Sequence, residues 1–419
     1  MPRRFVTRRR VLAAAAAIAL AVGVPNLWAW HQLRTARAAL AAYHPDEART
    51  ALAACARVWW RSPEVHLLSA RAARQAGDAD AAGRALRDCQ RLTGATDDTA
   101  FEWALGQASA GNVREVETYL QKRADASAPA GPLAWEALTQ GYLRVYRTLD
   151  AMAVANHWLQ LDPDNVRALE LRGQVYVTGK GVVRGTEDYR RALELDPTRR
   201  DTRWRLAGSL IDLGGYDEAA GHLEEYAKGA PGDPDVAARL ARCYVMTKRG
   251  ADARRLLEAA LAVHPDHALC LRARGQVALT GDPPDLAAAE EFLRRAAAAA
   301  PDDYQAAWSY SEALRQRGKT AEAKVEMARA EGVRDRLERL GELRSRKLAE
   351  QPLDPALHYE MGVLLTASHP DVAAQWLASA VQLDPNHRPA HAALAELYAR
   401  KGDAARAAEH RRRAAGEGR

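Results

Sequence analysis

The sequence predicts an all-α solenoid of about eleven helix–turn–helix units, placed behind one N-terminal transmembrane helix and containing one long helix near its C-terminal end. Three observations carry this reading. A 34-residue period runs through the chain, an uncharged run at 11–30 follows a cluster of arginines, and a charged helical stretch at 320–350 breaks the period.

The period is plainest at Pro163, Pro197, Pro231 and Pro265, which stand 34 apart. Gly173, Ala207, Ala241 and Gly275 repeat it, as do Gly185, Ala219 and Ala253. Tyr142, Tyr176 and Tyr244 form a further register, with Leu210 in the gap. A small residue in the first helix of each unit lets the second approach closely. Its counterpart in the second helix receives the next unit. Proline cannot continue a helix and so turns the chain back. Gly77, Gly111, Gly214, Gly318 and Gly402 suit the tight turn inside a unit.

These residues resemble the tetratricopeptide repeat, a 34-residue helix–turn–helix unit. The likeness is strongest at Trp135, Leu138 and Tyr142, and along Leu206, Ala207, Leu210, Gly214, Tyr216 and Ala219. Leu161-Asp162-Pro163, Leu195-Asp196-Pro197 and Leu383-Asp384-Pro385 close units in the manner of that family. The resemblance implies a right-handed superhelical solenoid whose first helices line a concave, peptide-binding face. Units are expected to end near Trp60, Gly94, Pro129, Pro163, Pro197, Pro231, Pro265, Pro301, Asp335, Pro385 and the C-terminus, with a turn insertion at Asp282-Pro283-Pro284. The resulting plan is a basic segment at 1–10, a signal-anchor at 11–30, a solenoid over 31–335, a long helix or spacer at 320–350, and C-terminal units over 351–419.

Residues 11–30 carry no charge and span about 30 Å as a helix, enough for a bilayer. Trp28 and Trp30 close the run, as aromatics do at a membrane interface. Arg3, Arg4, Arg8, Arg9 and Arg10 precede it, and Arg34 and Arg37 follow, so the positive-inside bias puts the body outside the cytoplasm. An inner-membrane single-pass protein is expected; a cleaved export signal ending at Ala19-Leu20-Ala21 is the alternative. The same five arginines account for most of the net charge of +6, leaving the remainder near neutral and without the field that phosphate neutralisation needs. Nucleic-acid binding is not expected.

At 320–350, Val333, Leu337, Leu340, Leu343 and Leu348 set an apolar stripe among dense charges. Two readings stand: a helical spacer, or a coiled-coil element that forms a homodimer.

No constellation reads as an active site. Gly179-Lys180-Gly181 lacks the ending and the preceding strand of a phosphate loop. His264 and His267, and His387 and His391, straddle unit boundaries and are read as surface turns. Cys55, Cys89, Cys243 and Cys270 form no CxxC pair, and Cys55 and Cys89 fall in a core-spacer register. No metal, cofactor or catalytic residue is predicted, and no enzyme activity.

A surface pattern remains. Phe101, Trp204 and Trp308, with Leu67, each stand ten residues before a turn glycine, one short of the usual core aromatic. One residue rotates a side chain by about 100° on a helix, toward the concave face unless the helices rotate and keep it in the core. Arg71, Gln140, Gln174, Arg242, Arg272 and Glu312 join it by register. The function expected is a membrane-anchored, non-enzymatic scaffold for a protein or peptide partner, an envelope assembly factor or co-chaperone; the alternative is a regulatory or substrate-recruiting subunit of an enzyme or secretion complex.

Overall fold

A computed structural model describes residues 8–126 and 130–416, with residues 8–20 and 126 described in backbone only. The chain divides into two compact units, Met1–Val145 and Tyr146–Arg419. Among the described residues the secondary structure is helical, with no strand.

The first unit holds α1 (Arg8–Ala41), α2 (Pro45–Ala56), α3 (Pro63–Gln75), α4 (Ala79–Thr93), α5 (Asp97–Ala110), α6 (Val113–Ala126) and α7 (Gly131–Arg144). The second begins with α8 (Thr148–Leu161), α9 (Val166–Thr178), α10 (Val182–Leu195), α11 (Arg200–Asp212), α12 (Tyr216–Ala227), α13 (Pro234–Met246) and α14 (Gly250–Val263). It continues through α15 (Ala268–Leu279), α16 (Leu286–Ala299), α17 (Tyr304–Gln316) and α18 (Thr320–Glu342), then a π-helical turn over Leu343–Lys347 and the short α19 (Leu348–Glu350). It ends with α20 (Pro355–Leu365), α21 (Pro370–Leu383), α22 (Arg388–Arg400) and α23 (Ala404–Ala415). Within each unit, helices pack on their chain neighbours. First helices of successive pairs also touch, as α3–α5–α7 and α13–α15–α17 do, which places them on the inner side of the local curve.

Each pair solves the same local problem. Polar side chains cap the opening turns: Asp78 accepts from the amide of Ala81 at 2.9 Å, Asn165 from Ala168 at 3.0 Å, and Asp285 from Ala288 at 3.0 Å. The turn inside a pair needs a left-handed residue, and the five turn glycines have φ between 76° and 100°. Tyr43, Tyr146, Lys180 and Lys248 fill the same slot at φ 56–65°, where a side chain costs roughly 1–2 kcal/mol. The small-residue registers mark the closest approaches. A Cβ on Gly173 would stand 2.7 Å from Tyr189 Cε1, and one on Gly275 2.5 Å from Leu293 Cγ. Ala207 and Ala241 fill the intervening repeats and are fully buried.

All four cysteines are buried and free. The thiols of Cys55 and Cys89 donate to the carbonyls of Ala29 and Pro63, each at 3.4 Å, so the contact itself repeats with the period. Burial raises all four thiol pKa values, those of Cys243 and Cys270 to about 11.

Among the described residues, no helix is long and apolar enough to cross a membrane. The side chains of residues 11–20, half of the expected spanning segment, lie outside those described.

The 320–350 segment is helical as expected, and its apolar stripe packs within the chain. Leu340, Leu343 and Leu348 are buried in a cluster with Met361 and Trp376, joined by Tyr146, Leu357, Leu364 and Leu365. Tyr146 stacks on Trp376 at 5.5 Å between centroids, and Arg339 Nη2 donates to Glu360 Oε2 at 2.8 Å. The stripe expected to pair with a second copy is therefore occupied within the same chain, leaving only Leu337 of it well exposed. The homodimer reading loses its basis. The segment acts as a strut within the second unit, tying its C-terminal helices to Tyr146.

A second correction concerns His391. It is 1% exposed, not on a surface turn, and its Nδ1 lies 2.9 Å from Nδ1 of His410 on α23. His410 also stacks on Tyr398 at 5.7 Å. Burial, then the neighbouring His391, lowers the His410 pKa below its ordinary 6.5, while Glu409 opposes and Arg413 reinforces the shift.

Two predictions follow from this packing. Gly275→Leu should overpack α15 against α16 and cost about 1–3 kcal/mol or more; an unchanged denaturant midpoint would show that this register is not a close-packing one. The His391–His410 contact needs an unprotonated ring, so the stability it adds is present above pH about 6.5 and falls as the pH drops below it. Protection factors of the α23 amides, with exchange measured against the intrinsic base-catalysed rate, should fall as the pH drops through the histidine range, about one to two units around pH 6.5, and His410→Phe should flatten that dependence.

Candidate inner-face interaction site

In the first unit, the inner face of α3, α5 and α7 is built around charge. Glu102 is 3% exposed and accepts from Arg71 Nε and Arg74 Nε, each at 3.0 Å. Arg74 Nη1 reaches Glu136 Oε2 at 3.4 Å. Burial pulls the Arg74 pKa down, but Glu102 and Glu136 pull it up and prevail, so the guanidinium stays charged. The expected groove residues are not free here. Arg71 is half-buried and committed to Glu102, while Leu67 and Gln140 are half-buried. Phe101 corrects its expectation outright: it is 5% exposed, with the Arg123 guanidinium 5.6 Å from its ring centroid. Its helix is rotated enough to keep the ring in the core.

In the second unit a single register on the first helices is occupied by residues of different kinds. Glu170, Trp204 and Arg272 share it at multiples of 34, and Trp308 stands 36 after Arg272, behind the turn insertion. Glu170 is 6% exposed and takes a bidentate contact from Arg199, with both distances 2.7 Å, plus Arg167 at 3.1 Å and the Thr202 hydroxyl. Burial alone would raise its pKa; Arg199, Arg167 and Thr202 outweigh burial and hold it at about 2. Trp204 packs partly on the core, 5.2 Å from Tyr226, with the Arg239 guanidinium 3.9 Å from its ring centroid. That makes it a bridge between α11, α12 and α13 more than a free anchor. Arg272 is half-buried and bonded to Asp303 at 2.6 Å.

What stays accessible is narrower than the sequence suggested. Trp308 is 44% exposed and Arg242 is exposed. Gln174 is half-buried, as is Glu312, which binds Arg315 at 2.6 Å and Gln316 at 2.7 Å. One turn before Trp308 on α17, Tyr304 lines an open cavity of about 810 Å³ with Lys180, Leu337 and the charged side chains of α18 from Arg334 to Glu342. A neighbouring cavity of about 600 Å³ lies between α8–α10 and the 345–350 segment, lined by Leu149, Met152, Tyr176, Val183, Arg184 and Arg346. Lys180 borders both. Gly179-Lys180-Gly181 is the turn between α9 and α10, with Gly181 N–H bound to Tyr176 O at 2.7 Å.

The buried carboxylates escaped the sequence reading although a signal was present. Glu102, Glu136 and Glu170 are spaced by 34, like the prolines. Such a register of acids on helices otherwise read as apolar is the mark of buried ion pairs. The cavities had no comparable signal, because they depend on where α18 ends. Among the described residues, no group of three or more His, Cys, Asp or Glu is placed to hold a metal ion.

Comparison with known proteins bears on the repeats directly. Residues 182–234 and 210–277 match two family models, each described as tetratricopeptide repeat. Tetratricopeptide repeat protein 14 of Mus musculus is 38% identical over 92 residues, which cover 21% of this chain and 12% of the mouse protein. Three solved structures have low similarity scores. The C-terminal part of a repeat-containing protein from Cytophaga hutchinsonii is 14% identical, covering 70% of this chain and 99% of that one, with a TM-score of 0.40. Human IFIT1, as a dimer with m7Gppp-AAAA, is 17% identical over 85% and 90% of the two chains, at 0.37. Yeast Tom70 is 13% identical over 94% and 93%, at 0.33. Residues 182–277 thus match tetratricopeptide repeats, and the helix pairs described above follow the same helix–turn–helix plan along the chain.

Proposed function

We propose that the chain is a non-enzymatic interaction scaffold, tethered in the inner membrane by residues 11–30 with its repeats outside the cytoplasm. Its second unit holds an extended or helical segment of a partner protein against the first helices. The observation that carries this is Trp308, a large aromatic left 44% exposed on an inner helix, one turn from a residue that lines an open cavity. Tryptophan so placed is a favoured binding anchor. Arg242 is exposed on α13, two first helices before α17, and offers charged hydrogen bonds to acidic or main-chain groups of a partner segment that spans several pairs. The near-neutral body suits a protein partner better than a nucleic acid. A scaffold of this kind fits an assembly factor or co-chaperone of the cell envelope.

Two measurements test the reading. Photo-crosslinking from position 308 in intact membranes should capture a partner, and Trp308→Ala should weaken that capture about tenfold or more with little change in unfolding. Phe101→Ala is the contrast: as a core change it should cost about 3–5 kcal/mol of stability. A Trp308→Ala protein that is strongly destabilised would return this residue to the core and remove the site. For topology, a reporter active only outside the cytoplasm, fused after Tyr43, should be active; an inactive reporter overturns the orientation.

A further inference from the structure

In the α2–α3 turn, Arg57-Val58-Trp59-Trp60-Arg61, Val58 and Trp59 pack on the core of the first unit, while Arg57, Trp60 and Arg61 stand exposed outside it. Trp60 is 65% exposed, and the Arg61 guanidinium lies 4.9 Å from its ring centroid. Arg57 and Arg61 are exposed. The turn is nevertheless held firmly. Ser62 N–H bonds Trp59 O at 2.9 Å, His66 Nε2 lies 2.8 Å from Trp60 O, and Ser62 caps α3 ahead of Pro63.

Two contacts fix this turn beside α1. Trp59 Nε1 donates to Asn26 Oδ1 at 2.7 Å, and the Cys55 thiol donates to Ala29 O. The end of α2 therefore lies at the level of residues 26–29 of α1, the last turns of the uncharged 11–30 run. At that level α1 exposes Val24, Leu27, Trp28 and Trp30, with Leu27 at 70%. Arg34 stands one turn further on, 5.1 Å from the Trp30 ring.

Charge points the same way. From Ala21 to Ala36 and from Ala54 to Pro63 there is no carboxylate, while Arg34, Arg57 and Arg61 supply three cations. The nearest acid, Glu64, is bound by Arg37 at 3.0 Å. Exposed tryptophans and unpaired-sign arginines at one depth, continuous with an apolar segment of bilayer length, match the interfacial layer of a membrane rather than a folded partner.

We propose that the α2–α3 turn is a second membrane contact, which seats the first helix pair on anionic phospholipid headgroups beside the end of the spanning helix. The proposal rests on the anchored reading above and adds to it a fixed posture: a helix pair resting on the headgroup layer rather than swinging from a single helix.

The test uses the full chain in nanodiscs of phosphatidylethanolamine and phosphatidylglycerol. A fluorophore is attached to Val24→Cys, Trp60→Cys, Arg57→Cys or Asp80→Cys in turn, and emission is compared with and without lipids carrying a quencher near the headgroup. Asp80 is exposed beyond the other end of α3. Loss of emission at 24, 57 and 60 but not at 80 is the expected result. Loss at 24 with none at 57 or 60 overturns the second contact while leaving the anchor. No loss at any position overturns the anchor as well. Equal loss at 80 would show the unit lying flat on the bilayer, which also overturns the specific contact. Arg57→Cys guards against a local disturbance from removing Trp60.

Discussion

The structure depends on how closely two helices can approach where a side chain is missing. At Gly173, Gly275 and Gly362 a single added methyl group would meet a neighbouring side chain at 2.5–2.7 Å, so each of those pairs closes on backbone. Interiors this dense transmit a local change at once. Because each pair buries its apolar face only against its neighbours, that approach must recur along the chain for any of it to be stable. The caps, the left-handed turns and the prolines all set the chain on course for the next such contact.

Polar chemistry is layered onto that frame in a way the packing alone does not demand. One inner register holds a carboxylate in α9, an aromatic in α11, a guanidinium in α15 and an exposed indole in α17. The buried Glu170 stays ionised because Arg199 grips it bidentately from the start of the following pair. This ties one pair to the next by a directional contact, where apolar packing would tolerate sliding. In the first unit Arg74 does similar work between α3, α5 and α7. The inner face is thus largely committed to holding the pairs in register, and only part of it remains for a partner.

The period was legible because every pair faces the same steric problem, and the residues that solve it are glycine, alanine and proline. The site was less legible because exposure depends on helix rotation and on long side chains that fold back. Phe101, Trp204 and Trp308 share one spacing from their turn glycines, yet the first is buried, the second is roofed by Arg239 and the third is open. Nothing in spacing alone distinguishes them. The fate of the 320–350 stripe was likewise hidden, since Trp376 and Tyr146 lie far from it in sequence and meet it only in the folded unit. The His391–His410 contact also joins two helices, 19 residues apart. By contrast, the 34-residue spacing of Glu102, Glu136 and Glu170 was available in the sequence and could have been read as buried ion pairs.

The buried thiols bear on the compartments this chain can tolerate. Cys55 and Cys89 each donate to a carbonyl of the preceding helix, and burial keeps all four sulfurs in the protonated form. A protonated, enclosed thiol is a poor nucleophile toward disulfides and oxidants. The folded repeats contain no disulfide that a reducing environment would cut and no exposed thiol that an oxidising one would capture. Such a stack reaches its fold without oxidative maturation and carries no thiol–disulfide switch.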